Sequence, residues 1–152
     1  MKKYIYLAGN ISNDPETYKW REDATKLLES EYNILNPAAN KFNKNLIKYN
    51  KKDLEEFKKD AINKSKNILI VKDFQLVNKA DIILVNLQLL TPDKPLIGTI
   101  YELAWAWCLK KPVIAIIADN WWCKHPFPAS TFSATAETLE EACTIIKYFF
   151  EE

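Results

Sequence analysis

Short apolar runs alternate with helix-like stretches along the chain, and no other feature restricts the fold as strongly. Tyr4-Ile5-Tyr6-Leu7-Ala8 reads as a strand. After Gly9, Asp14-Pro15-Glu16 sets a cap residue before a proline at the first helical position and opens an amphipathic helix to about Ser30. Tyr32-Asn33-Ile34-Leu35 reads as a second strand, stopped by Asn36-Pro37, and Lys52 to Lys64 as a helix with Leu54, Phe57, Ala61 and Ile62 on one side. Ile68 to Val71, Ile82 to Leu87 and Val113 to Ala118 are β-branched, nearly continuous apolar runs, as parallel strands covered on both faces require. Thr138 then starts a last helix with Leu139, Ala142, Ile145, Ile146 and Phe149 on one apolar face. The pattern predicts an α/β fold, an open doubly wound sheet of five parallel strands with helices on both faces. No linker or repeat divides residues 1–152, so a single domain is expected.

Composition narrows the chemistry. Lys plus Arg is 21 and Asp plus Glu is 20, a net charge of +1, so no field draws the chain to nucleic acid or an anionic membrane. Residues 41–66 carry a run of lysines, but Asp53, Glu55, Glu56 and Asp60 interleave with them, which favours a solvated helix face. The two glycines, Gly9 and Gly98, stand alone, which excludes the clustered-glycine loops of dinucleotide and P-loop sites. His125 is the only histidine, and Cys108, Cys123 and Cys143 lack zinc-site spacing, so no metal is expected. Three thiols and no signal-peptide core point to a reducing cytoplasm.

In open α/β sheets ligands bind beyond the carboxyl ends of the strands. Gly9-Asn10, Asp73, Asn86 and Asp119-Asn120 occupy those ends in the predicted scheme, and the helix starting near Gly98-Thr99 carries Glu102. From Ile100 to Leu109 that helix is apolar on every side except for Glu102 and the Tyr101 hydroxyl, so it is expected to be buried all round. Glu102 has two readings. Thr99-Ile100-Tyr101-Glu102 fits a capping box, and a first-turn carboxylate kept ionised by the helix dipole is also a nucleophile. Asp73 either caps a helical turn over Phe74 to Asn78 or joins Glu102 in flanking a glycosidic bond. Asp81 reads as structural.

Tyr6-Leu7-Ala8-Gly9, Trp20-Arg21, Asp73 eight residues before Asp81, and Gly98-Thr99-Ile100-Tyr101-Glu102-Leu103-Ala104 followed by Lys111-Pro112-Val113 resemble, in order and spacing, the nucleoside 2-deoxyribosyltransferase family. The resemblance runs from about residue 4 to 118. It implies a flavodoxin-like homo-oligomer whose active sites are completed by a neighbouring subunit. In that family Glu102 matches the nucleophile that takes the deoxyribosyl group, Asp73 the aspartate that assists the base, and Tyr6 the tyrosine that orients the nucleophile. The implied substrates are a deoxynucleoside or deoxynucleotide and a free nucleobase, and neither chemical step requires a cofactor. The implied reaction is retaining transfer of a 2-deoxyribosyl group between bases; the alternatives are hydrolysis of deoxynucleoside 5′-monophosphates and a non-catalytic nucleotide-binding module.

Two departures bear on substrate recognition. The transferases place an acid six residues before the nucleophile, where this chain has Leu96, with Asp93 nearby as a substitute. The related N-glycosidases carry arginine and extra glycines in the first loop, where this chain has Asn10-Ile11-Ser12-Asn13; Ser12, the helix start near Pro15 and Arg21 are the phosphate candidates. Gly9, Asn10, Asn86 and Gly98 complete the expected substrate-binding set. Cys123 and His125, two apart in a proline-containing loop, make a poor nucleophile–base pair, and Trp121, Trp122 and Phe127 read as a lid over a base or a loop against a partner subunit.

Overall fold

The computed structural model describes residues 1–39, 56, 59, 68–90 and 96–151. Its sheet contains β1 (Tyr4–Gly9), β2 (Asn33–Leu35), β3 (Ile82–Asn86), β4 (Val113–Ile116) and β5 (Ala134–Ala136). All pairings are parallel, in the order β2-β1-β3-β4-β5. This is the flavodoxin-like α/β topology expected, with five strands, although one of them is not the segment anticipated.

The helices that lie wholly within the described residues are α1 (Glu16–Leu28), α2 (Ile68–Lys79), α3 (Ile97–Cys108), the short α4 (Trp121–Lys124) and α5 (Pro126–Ser130), and α6 (Leu139–Phe150). Side-chain alternation along the central strands sorts them into two layers. Ile5, Leu7, Ile82, Leu84, Ile114 and Ile116 pack against Trp20, Ala24 and Leu28 of α1 and Ala142 and Ile146 of α6. Tyr6, Ala8, Ile83, Val85 and Ala115 face the other way, onto Val77 of α2 and Leu103 and Ala106 of α3. Tyr6 is thereby committed to the α2–α3 side.

Ile68 to Val71, anticipated as a strand, is the first turn of α2. Ile68, Ile70 and Val71 are exposed, while Leu69, Asp73, Leu76, Val77 and Ala80 turn inward at helical spacing. A β-branched run suits either state, and here the inward-facing positions beyond it continue the 3.6 period over twelve residues. The strand at the sheet's edge is β5, an Ala-Thr-Ala segment with no apolar run to announce it, made a strand by pairing with β4.

Smaller expectations also shift. Helix α1 starts at Glu16, one residue later than anticipated, with Pro15 at the cap position; the Asp14 carboxylate still accepts from the Glu16 N–H at 3.0 Å. Thr138 caps α6 by accepting from the Glu141 N–H at 3.1 Å. Phe149, placed on the apolar face from sequence, is exposed, and Phe150 packs on Tyr32 instead, with ring centroids 5.5 Å apart. Asp81 is structural: its carboxylate accepts from the Tyr4 N–H at 2.8 Å. Glu56 and Lys59 are helical and exposed; the rest of the helix expected over 52–64, most of the lysine run and Asp93 lie outside the described residues. Among the described residues no helix is long and apolar enough to cross a membrane.

The end of β1 depends on Gly9. Its φ is +135°, and a Cβ there would sit 2.8 Å from the Asn86 carbonyl oxygen on β3. Gly9→Ala is therefore expected to destabilise the fold by roughly 2–4 kcal/mol, combining backbone strain with overpacking, as measured by urea denaturation.

Candidate active site

Glu102 is the sixth residue of α3, and its side chain turns into the protein. The residue is 7% exposed. The helix starts at Ile97 after Leu96, which offers no side-chain cap, and Thr99 is a buried residue of the first turn. The capping-box reading of Thr99 and Glu102 is thus incorrect. The carboxylate reaches across to β1, where the Tyr6 hydroxyl donates to Glu102 Oε1 at 2.5 Å and the Gly9 N–H supplies a backbone hydrogen bond.

The first-turn dipole argument fails with the cap. Burial pushes the Glu102 carboxyl up to about 8, and the negative charge of Asp73 adds to the rise, while the Tyr6 hydrogen bond, the Arg21 charge and the Gly9 N–H oppose it. Tyr6 is fully buried, and desolvation together with Glu102 raises its hydroxyl far above the ordinary tyrosine value, so it remains a donor.

Asp73 sits in the middle of α2, not at a strand end, and does not cap a turn over Phe74 to Asn78. Helices α2 and α3 pack together, with the Phe74 and Trp105 rings in edge contact at 5.4 Å. Asp73 is half-buried, and desolvation raises its carboxyl to about 6. Its charge is felt by both Tyr6 and Glu102. Two carboxyls anticipated as a pair and a phenol implied by the resemblance therefore share one side of the sheet, delivered by two helices and one strand.

Arg21 lies on the buried stripe of α1, with Thr17, Trp20, Ala24 and Leu28 at helical spacing. Its Nη2 donates to the Gly9 carbonyl at 2.9 Å, and its Nη1 to the Asn10 carbonyl at 3.0 Å and to the Thr17 carbonyl. The guanidinium is fully buried, and this loss of solvation lowers it to about 10. The structure uses Arg21 to hold the β1–α1 loop, a task unlike the surface phosphate contact considered from sequence. Its place on the apolar face of α1 was the available signal.

The remaining candidates lie around the same edge. Asn86 pairs with Gly9 in the sheet register, is 6% exposed, and accepts from the Gln88 N–H through Oδ1 at 2.9 Å. Ser12 accepts from the Asp14 N–H at 3.1 Å, and its own N–H meets Thr17 Oγ1 at 3.4 Å. Asn10 is half-buried beside this loop. Gly98 is exposed at the start of α3, with open space where a side chain would be.

The expectation that α3 is buried all round does not hold for the single chain: Ile97, Ile100, Tyr101 and Trp107 are exposed. Trp107, Trp121, Trp122, His125 and Phe127 line a cavity of about 410 Å³ against α3, and Glu102 does not border it. His125 accepts from the Phe127 N–H through Nδ1 at 3.3 Å, and the Cys123 N–H donates to Asn120 Oδ1 at 3.2 Å; both contacts start short helices. Among the described residues, no three His, Cys, Asp or Glu side chains gather into a metal-binding group.

A carboxyl raised by folding stabilises the fold while protonated, and this contribution fades as pH climbs from the ordinary value through the folded one. Wild-type stability is therefore expected to fall relative to Glu102→Gln from about pH 4.5 to about pH 8, with no further widening above that range. Thermal melts of both proteins across pH check this.

Two solved structures share the architecture. A 2-deoxyribosyltransferase from Bacillus psychrosaccharolyticus superposes with a TM-score of 0.60 at 19% identity, covering 90% of this chain and 88% of its own. The Clostridium botulinum CMP N-glycosidase gives a TM-score of 0.52 at 16% identity, covering 96% of this chain and 99% of its own. A search of curated proteins returned no match. The family model for nucleoside 2-deoxyribosyltransferase matches residues 5–137, taking in β1 through β5 with Tyr6, Asp73 and Glu102. The chain accordingly belongs to the nucleoside 2-deoxyribosyltransferase family, a family of glycosyltransferase and N-glycosidase enzymes.

Proposed function

We propose that residues 1–152 form one catalytic domain that transfers a 2-deoxyribosyl group between nucleobases through a covalent ester on Glu102. The observation that carries this reading is the buried Tyr6–Glu102 pair, 2.5 Å apart, with Asp73 on the adjoining helix. A nucleophilic carboxylate must be aimed and shielded from water, and the Tyr6 hydroxyl and Gly9 N–H supply the aim.

Glu102 attacks C1′ of the deoxynucleoside. As the C1′–O bond forms, the C1′–N bond breaks, its electron pair passes to the departing base, and Asp73 gives that base a proton. The carboxylate stabilises the cationic, oxocarbenium-like sugar between the two bonds, and the missing 2′-hydroxyl makes that cation easier to form. An incoming base then attacks C1′ from the same face, gives a proton to Asp73 and returns the electron pair to Glu102. Two inversions leave the configuration retained.

Gly9, Asn10, Asn86 and Gly98 are the backbone and edge groups we assign to the sugar and base, and Asp93 to the sugar hydroxyl in place of an acid at Leu96. Support for an unphosphorylated substrate comes from the β1–α1 loop. Ser12 and the Asp14 carboxylate already bond the start of α1, Glu16 adds an acid there, and Arg21 is committed to carbonyls. An anionic tail gains little at such a helix start. We further assign the exposed apolar face of α3 to contact with a second copy of the chain. Trp107→Glu is expected to reduce the oligomer mass in analytical ultracentrifugation; an unchanged mass rejects that assignment.

Incubation with a deoxynucleoside and a different free base is expected to yield the exchanged nucleoside, with a deoxyribosyl adduct on Glu102 in the intact-protein mass. Release of free sugar, or of sugar phosphate from a monophosphate, would instead mark a hydrolase. Glu102→Ala is expected to lower turnover by at least ~10³-fold. The reacting form carries a charged Glu102 and a protonated Asp73, so the pair must hold one proton. With carboxyls at about 6 and about 8, kcat/KM is expected to be bell-shaped, with limbs near those values. A flat profile across this range rules the pair out.

A further inference from the structure

Arg21 is a buried guanidinium with no salt bridge among the described residues. Its Nε has no hydrogen-bond partner there either. Neutral donors could hold the Gly9 and Asn10 carbonyls without the cost of desolvating a full charge, so the charge itself calls for a physical role. Gly9 supplies the link. Its carbonyl is held by Arg21 from the α1 side, and its N–H holds the Glu102 carboxylate from the α3 side.

The groups acting on Glu102 are Tyr6 and the Gly9 N–H from β1, Asp73 from α2 and Arg21 from α1. Arg21 is the positive member of this set. The attraction is reciprocal, because Glu102 also favours the charged form of Arg21.

We propose that Arg21 is a positioning residue for the nucleophile: a buried positive charge, clamped to the Gly9–Asn10 loop, that sustains the ionised form of the Glu102 carboxylate and eases its departure when the glycosyl ester breaks down. This rests on Glu102 being the nucleophile. Attack converts the carboxylate to a neutral ester, and breakdown of the C1′–O bond returns the electron pair and the negative charge to Glu102. A fixed cation nearby increases the share of Glu102 ready to attack and makes the carboxylate a better leaving group in the second step.

The test is the titration of Glu102, followed by carbon-13 NMR of carboxyl-labelled glutamate, with Glu102→Gln identifying the signal. Arg21→Gln keeps a donor for the Gly9 carbonyl and removes the charge; Arg21→Lys keeps the charge and loses the fork. Arg21→Gln is expected to raise the midpoint by about one unit or more, and Arg21→Lys by less than about half a unit. In turnover, Arg21→Gln should move the alkaline limb of kcat/KM upward by the same amount, lower the maximum about tenfold per unit, and increase the glycosyl adduct seen by mass. A purely structural clamp would lower activity without moving the limb.

An unchanged midpoint in Arg21→Gln overturns the proposal, as does a shift in Arg21→Lys equal to that in Arg21→Gln. If Arg21→Gln does not fold, Arg21→Met, which fills a similar volume without a charge, takes its place in the same titration with the same expected rise, and an unchanged midpoint there overturns the proposal. If no deoxynucleoside turns over, the transferase reading fails, while the NMR titration still judges the charge coupling.

Discussion

A carboxylate removed from water inside an α/β sheet domain is the constraint around which this molecule is organised. Glu102 is almost fully buried on a helix whose other inward residues are Thr99, Leu103 and Ala106. Each element at the carboxyl edge of β1 acts on it. Tyr6 gives a hydroxyl donor from within the strand, Gly9 a backbone N–H at the strand's last residue, α2 a second carboxyl, and α1 a buried cation beneath the loop. Desolvation still outweighs the donors, so the carboxyl titrates near neutrality. Proton exchange with a base is most useful in that range.

The two faces of the sheet divide the work. The face carrying Ile5 and Leu7 packs against α1 and α6 and is apolar except at the loop end, where Thr17 and Arg21 hold the chain as it leaves β1. The other face carries Tyr6 and receives α2 and α3 with their acids. Gly9 connects them: its φ of +135° and its close approach to Asn86 leave no room for a side chain, and the same residue bonds Arg21 on one side and Glu102 on the other. A substitution there would disturb fold and site together.

Much of this was legible in the residues themselves. A lone acid on an apolar helix marked Glu102, the end of the first strand marked Gly9, and Tyr6 came from the family resemblance. Asp73 was found for the wrong structural reason, because four β-branched and apolar residues before it read as a strand. The capping box, with Thr99 as the cap, was a plausible local pattern that lost to a start three residues earlier, with Leu96 at the cap position and Ile97 the first residue. Arg21 was noticed as a cation for phosphate, yet its position on the buried stripe of α1 was the better guide. Strand β5 left no trace because Ala-Thr-Ala carries no apolar run.

The sequence by itself determined the alternating α/β architecture and the isolation of Glu102 on a greasy helix, because hydrophobic periodicity is a local property of the chain. Only the tertiary structure decided that 68–79 is a helix, that Asp73 and Glu102 come together through helix packing, and that a guanidinium is buried under the Gly9–Asn10 loop. Those outcomes depend on contacts between segments tens of residues apart, where pairing, desolvation and charge are set by which surfaces meet and no local pattern can specify them.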